Sequence, residues 1–81
     1  MQIERVIAYY RKDSEKLEGD INIDHIDFEK IKNIFNPPIQ DYMMYDPYEI
    51  GNNESIELKK LDGNLNFDLN SYSYYIECYQ I

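Results

Sequence analysis

The sequence predicts an α+β domain: a small, mostly antiparallel sheet, made of an N-terminal hairpin plus C-terminal strands, with one or two short helices on one face. Three observations lead there. The hydrophobic period is two residues at both ends of the chain and close to 3.6 in the middle. The apolar residues favour strands, with 12 Ile and 9 Tyr against 5 Leu and 1 Ala. The 81 residues leave room for a single core, so residues 1–81 are read as one domain.

The elements follow in order. Residues 2–10 are β-branched and aromatic, and the charged run Arg11-Lys12-Asp13-Ser14-Glu15-Lys16 interrupts them as a turn does. Leu17, Gly19, Ile21 and Ile23 alternate with Glu18, Asp20, Asn22 and Asp24, which predicts a second strand and a hairpin. After Asp27, a candidate N-cap, Phe28, Ile31, Ile34 and Phe35 take helical spacing until Asn36-Pro37-Pro38 stops them. Gln40 to Ile50 has no clean period and contains Pro47, so it reads as an ordered loop. Glu54 to Leu61 reads as a second helix, capped by Asn52 or Asn53 and ended by Gly63, with a short strand through Ile56 and Leu58 as the alternative. Leu65, Phe67 and Leu69 alternate with polar residues, and Tyr72 to Ile81 is again β-rich, so the chain should end in strands.

Charge and composition exclude several functions. Sixteen acidic and eight basic residues give a net charge of -8, unsuited to binding nucleic acid or an anionic membrane and suited to a basic partner. No apolar stretch approaches the roughly 18 residues of a membrane span, and the start Met1-Gln2-Ile3-Glu4-Arg5 has no cationic leader, so the expected location is cytoplasmic. One cysteine, Cys78, and one histidine, His25, make neither an internal disulfide nor a structural zinc site. Asp20-x-Asn22-x-Asp24 starts like a calcium loop but has His25 and Ile31 where Gly and Glu are required. Asp62-Gly63-Asn64-Leu65-Asn66 fails at Phe67 and Ser73 in the same way. With no phosphate loop, nucleophile elbow or metal triad, no enzyme, cofactor or metal is expected. His25 should sit at a strand-to-helix junction, and Cys78 should share a face with Tyr74 and Ile76 as an inert thiol.

One region stands out. Residues 33–58 hold Asp41, Asp46, Glu49, Glu54 and Glu57 without a single Lys or Arg. Among them stand Tyr42, Met43, Met44, Tyr45 and Tyr48, and tyrosine is enriched at interface hot spots. The rings could equally complete a Leu-poor core, and carboxylates usually just solvate a loop. The candidate partner-binding residues are Asp41, Tyr42, Tyr45, Asp46, Tyr48, Glu49, Glu54 and Glu57.

Met44-Tyr45-Asp46-Pro47-Tyr48-Glu49-Ile50, the Ile26-Asp27-Phe28-Glu29-Lys30-Ile31 helix start and Tyr74-Tyr75-Ile76-Glu77-Cys78-Tyr79 together resemble a family of short acidic bacterial proteins of uncharacterised function. The likeness covers most of the chain, although Asn64 to Asn70 is less acidic than the family's counterpart. These proteins are similar in size and charge to the immunity proteins carried beside polymorphic toxins, including contact-dependent growth-inhibition systems. The resemblance implies an immunity protein that binds a cognate basic toxin domain, such as a nuclease, and occludes its cleft as a monomer or 1:1 heterodimer. No family site residues carry over. The alternative is an adaptor or self-associating module that pairs through the final strand as a free sheet edge.

Overall fold

The computed structural model describes residues 2–81. Strands β1 (Ile3–Arg11) and β2 (Leu17–Asn22) are followed by helix α1 (Phe28–Phe35) and a single 3-10 turn (Ile39–Asp41). Strand β3 (Tyr48–Glu49), helix α2 (Asn52–Leu61) and strand β4 (Tyr72–Gln80) complete the order. The strands form one antiparallel sheet in the order β2-β1-β4-β3. The expected α+β architecture is therefore present.

The longest ladder joins the two ends of the chain, with β1 and β4 in register from Ile3↔Gln80 to Arg11↔Tyr72. The β1–β2 hairpin turns over the charged run, with Glu15 at φ 60 and its amide on the Arg11 carbonyl at 2.7 Å. Gly19 inside β2 leaves room for the Tyr9 ring, which lies over it: a Cβ there would come within 2.8 Å of Tyr9 Oη, so the ring would have to shift.

Helix α1 begins as its sequence reads. Asp27 Oδ1 accepts from the Glu29 amide at 3.0 Å, and Asn36 closes the helix in the left-handed region at φ 49 before the two prolines. Helix α2 corrects two expectations. Its N-cap is Gly51, not Asn52 or Asn53, and the Gly51 amide donates to Glu54 Oε1 at 2.9 Å, so the glutamate three residues on supplies the cap. Its stop is not Gly63: the helix ends at Leu61 with Asp62 extended, and Asp62 Oδ1 takes the Asn64 amide at 3.0 Å. The strand alternative is excluded by Ser55 and Leu58, which are buried three apart while Ile56 is exposed.

Two further segments differ from expectation. Within Gln40–Ile50, Tyr48 and Glu49 pair with Ile76 and Tyr75, and the Ile50 amide reaches the Tyr74 carbonyl at 2.8 Å. Pro47 confines this pairing to a short strand at the sheet edge. Leu65, Phe67 and Leu69 do turn inward between exposed neighbours, but residues 64–70 join no ladder. Alternating burial there comes from an extended crossing over the core.

The core gathers Ile7, Tyr74 and Ile76 from the sheet with Ile31 of α1, Leu58 of α2, and Ile23, Ile26, Met44, Ile50 and Leu65 from the connections. Tyrosines make up for the scarcity of leucine: Tyr9 stacks on Tyr74 at 5.6 Å, and Phe67 meets Tyr74 edge-on at 5.0 Å. Cys78 shares this face with Tyr74 and Ile76, and desolvation pushes its thiol up. His25 follows β2 and ties that junction to the end of α2 through Asp62 at 2.8 Å. No helix among the described residues is long and apolar enough to cross a membrane.

Candidate functional site

The segment after α1 is fastened at two points. Asp41, at the end of the 3-10 turn, accepts the Tyr45 amide on Oδ1 at 2.8 Å. On Oδ2 it takes the Asp46 amide at 3.1 Å and the Tyr48 hydroxyl at 2.8 Å. Desolvation raises the Asp41 carboxyl, but the two amides and the hydroxyl outweigh it and hold the group below its ordinary value. Desolvation and the bond to Asp41 push the Tyr48 phenol up to about 12.

The second point is Arg5. Its Nη2 donates to the Met43 carbonyl at 2.7 Å while the guanidinium lies 3.9 Å from the centre of the Phe28 ring. Between the two fasteners Met44 adopts φ 55 and is fully buried. That left-handed kink sends Met44 into the core and leaves Tyr42 and Tyr45 outside, 59% and 48% exposed.

The candidate residues divide accordingly. Tyr42, Tyr45 and Asp46 are exposed on the fastened loop. Asp41 is engaged by the loop amides, Glu54 is engaged in capping α2, and Tyr48 packs edge-on against Phe35 at 6.2 Å. The tyrosines thus split, with Tyr48 turned inward and Tyr42 and Tyr45 outward. Glu49 is carried away from the others: Tyr48 lies opposite Ile76 on the helix side of the sheet, so its neighbour Glu49, opposite Tyr75, points to the other side. Glu54 and Glu57 line a shallow groove between the helices with Asn33, Ile34 and Asn53. Counter-charge arrives from just outside the acidic segment: Lys60 pairs with Glu57 at 2.7 Å, and Lys32 Nζ lies 5.7 Å from the centre of the Tyr42 ring.

A second surface was missed in the sequence. The two helices bury Ile31 and Leu58 against the side of the sheet that carries Ile7 and Ile76, so the opposite side, with Val6, Ala8, Tyr10, Tyr75, Glu77 and Tyr79, has no helix over it among the described residues. The Tyr10 hydroxyl donates to Glu77 Oε2 at 2.6 Å, and this bond, with desolvation, pushes the phenol up to about 12. The available signal was the parity of Tyr75, Glu77 and Tyr79. Reading it required knowing that β4 lies in register with β1. The sheet order also corrects the expected free edge in part: β4 lies between β1 and β3, although β3 pairs only with Tyr75 and Ile76, and β2 forms the other edge of the sheet.

Among the described residues no three His, Cys, Asp or Glu side chains converge to hold a metal ion. A family model described as Domain of unknown function (DUF7683) matches residues 4–77, and the chain belongs to that family. None of the curated proteins matches it.

Proposed function

We propose that this DUF7683 member binds a basic protein through the fastened loop and its acidic surroundings, and that the binding neutralises a cognate toxin domain in the manner of an immunity protein. The observation that carries the reading is the loop itself. Asp41 and Arg5 hold its backbone in place while Tyr42 and Tyr45 keep about half their surface in water. Aromatic anchors on a rigid backbone lose little entropy on binding, which is what hot-spot residues require.

A net charge of -8 supports the choice of a basic partner. A nuclease needs a cationic cleft to hold phosphates, and an acidic protein would reach it by electrostatic steering while the tyrosines set the residence time. Inhibition would be steric, with no chemistry by this chain, in a 1:1 complex in the cytoplasm. The test is affinity capture of the tagged protein from its host, followed by growth of cells expressing the captured partner with and without this chain. A basic partner at 1:1 whose toxicity this chain abolishes supports the reading. A captured partner that is acidic, or harmless to growth, contradicts it.

A self-associating module is the second reading, favoured by the exposure of Leu17 and Ile21 on the free β2 edge. Glu18 and Asp20 on the same strand oppose it, since antiparallel pairing of two copies brings like charges together. Sedimentation of the isolated protein separates the two, with a monomer expected.

A further inference from the structure

The helix-free side of the sheet has a composition of its own. Its paired positions hold four carboxylates, Glu4, Asp20, Glu49 and Glu77, and no lysine or arginine among the described residues. Its floor is apolar: Val6 and Ala8 are 1% and 0% exposed although they lie outside the core cluster, so the tyrosine and carboxylate side chains around them form their cover. Toward the hairpin end this face opens into a groove of about 560 Å³, with Tyr10, Pro47, Ser73, Tyr75 and Glu77 on one part of its wall and Arg11, Lys12 and Glu15 of the hairpin on the other. Tyr10 and Tyr75 meet edge-on there, with centroids 5.9 Å apart.

The hydrogen bonding makes the groove selective. Tyr10 uses its single proton on Glu77 Oε2 at 2.6 Å, so the hydroxyl can offer only lone pairs to a newcomer. Among the described residues no hydrogen bond engages the other oxygen, Oε1. At Glu77 and Tyr10 a donor-only group is therefore matched. The two cations in the lining already have partners, Arg11 Nη2 pairing with Asp13 at 2.9 Å and Lys12 Nζ donating to the Leu69 carbonyl, while Glu15 adds a second carboxylate to the wall. A planar guanidinium fits best, since it can stack on a tyrosine ring while donating to two acceptors in its own plane.

We propose that this groove seats an arginine side chain of the partner, against Glu77 and Tyr10 with the Tyr75 ring as its wall. The proposal rests on the reading of a basic partner, but on a different surface from the tyrosine loop. The two fail separately in a titration of isotope-labelled protein with tri-arginine peptide, followed by amide chemical shifts, with tri-lysine and tri-citrulline as controls. Saturable shifts at Tyr10, Tyr75 and Glu77 with tri-arginine, weaker with tri-lysine and absent with the neutral tri-citrulline, are the expected result. Glu77→Gln should weaken the binding about tenfold, as loss of one charge-assisted contact does. Tyr10→Phe, which keeps the ring and removes an acceptor, should weaken it less. Shifts confined to Tyr42 and Tyr45 would overturn this proposal and leave the loop reading intact. Equal response to tri-citrulline, unsaturable shifts spread over the surface, no shifts at all, or Glu77→Gln binding as the native chain does would each overturn it as well.

Discussion

The Tyr48 hydroxyl donates to Asp41 Oδ2 at 2.8 Å, and through that bond the first turn of the loop is tied to the strand that ends it. Asp41 thereby closes a ring of backbone around Met44, whose burial turns Tyr42 and Tyr45 outward. The exposure of the two tyrosines is a consequence of what Asp41 holds.

Asp41→Ala should free the Tyr45 and Asp46 amides. Their hydrogen exchange should rise well above that of the β1–β4 ladder, with a small fall in melting temperature. Tyr48→Phe keeps the ring against Phe35 and should do the same more weakly. Unchanged exchange at Tyr45 in Asp41→Ala would show that the loop is held by something else.

Titration in alkali should distinguish two phenols. Tyr10 and Tyr48 are each pushed up from 10.0 to about 12, so the stability they contribute is complete below pH 10 and is lost as pH rises through about 12. Ultraviolet titration should show late ionisation near pH 12 whose amplitude falls in the Tyr10→Phe/Tyr48→Phe double variant. On the acid side the Asp41 carboxyl is lowered, so its contribution is present above the ordinary carboxylate value and is lost only as pH falls through the lower, folded one.

Ile76 and Ile56 make a matched pair for the core. Ile76 is fully buried at the centre of β4, and Ile76→Ala should cost about 2–5 kcal/mol, enough to unfold most of so small a domain. Ile56 is 51% exposed on α2, and Ile56→Ala should stay within about 0.5 kcal/mol. Circular dichroism under urea reads both, and equal costs would refute the helical placement of residues 52–61.

Gly19→Ala should destabilise the hairpin by about 1–3 kcal/mol, because its Cβ falls 2.8 Å from Tyr9 Oη in a ring already stacked on Tyr74. The Gly19→Ala/Tyr9→Leu pair should recover part of that loss in urea melts. A neutral Gly19→Ala would mean that the Tyr9 ring has room to move.

Most of the fold was legible because local rules set it. Alternation placed β2, Asp27 with its apolar spacing placed α1, and Asn36-Pro37-Pro38 placed its end. What was illegible depends on partners distant in sequence. Tyr48 and Glu49 become a strand only because Tyr75 and Ile76 lie beside them, and Leu65 to Leu69 alternate like a strand without one. The site behaved likewise. Sequence grouped eight acidic and aromatic residues by proximity along the chain, but side-chain parity sent Glu49 to the far side of the sheet, the loop amides engaged Asp41 and the α2 cap engaged Glu54. The Tyr10–Glu77 bond spans nearly the whole chain and follows from the β1–β4 register alone.

The most direct test of the central claim is calorimetric titration of the captured basic partner into the native chain and into the Tyr42→Ala/Tyr45→Ala variant. Both rings are exposed, so the variant should fold as the native chain does. The account predicts 1:1 binding to the native chain and a loss of about a hundredfold or more in the variant, as for two hot-spot tyrosines. Equal affinity for both proteins would contradict it.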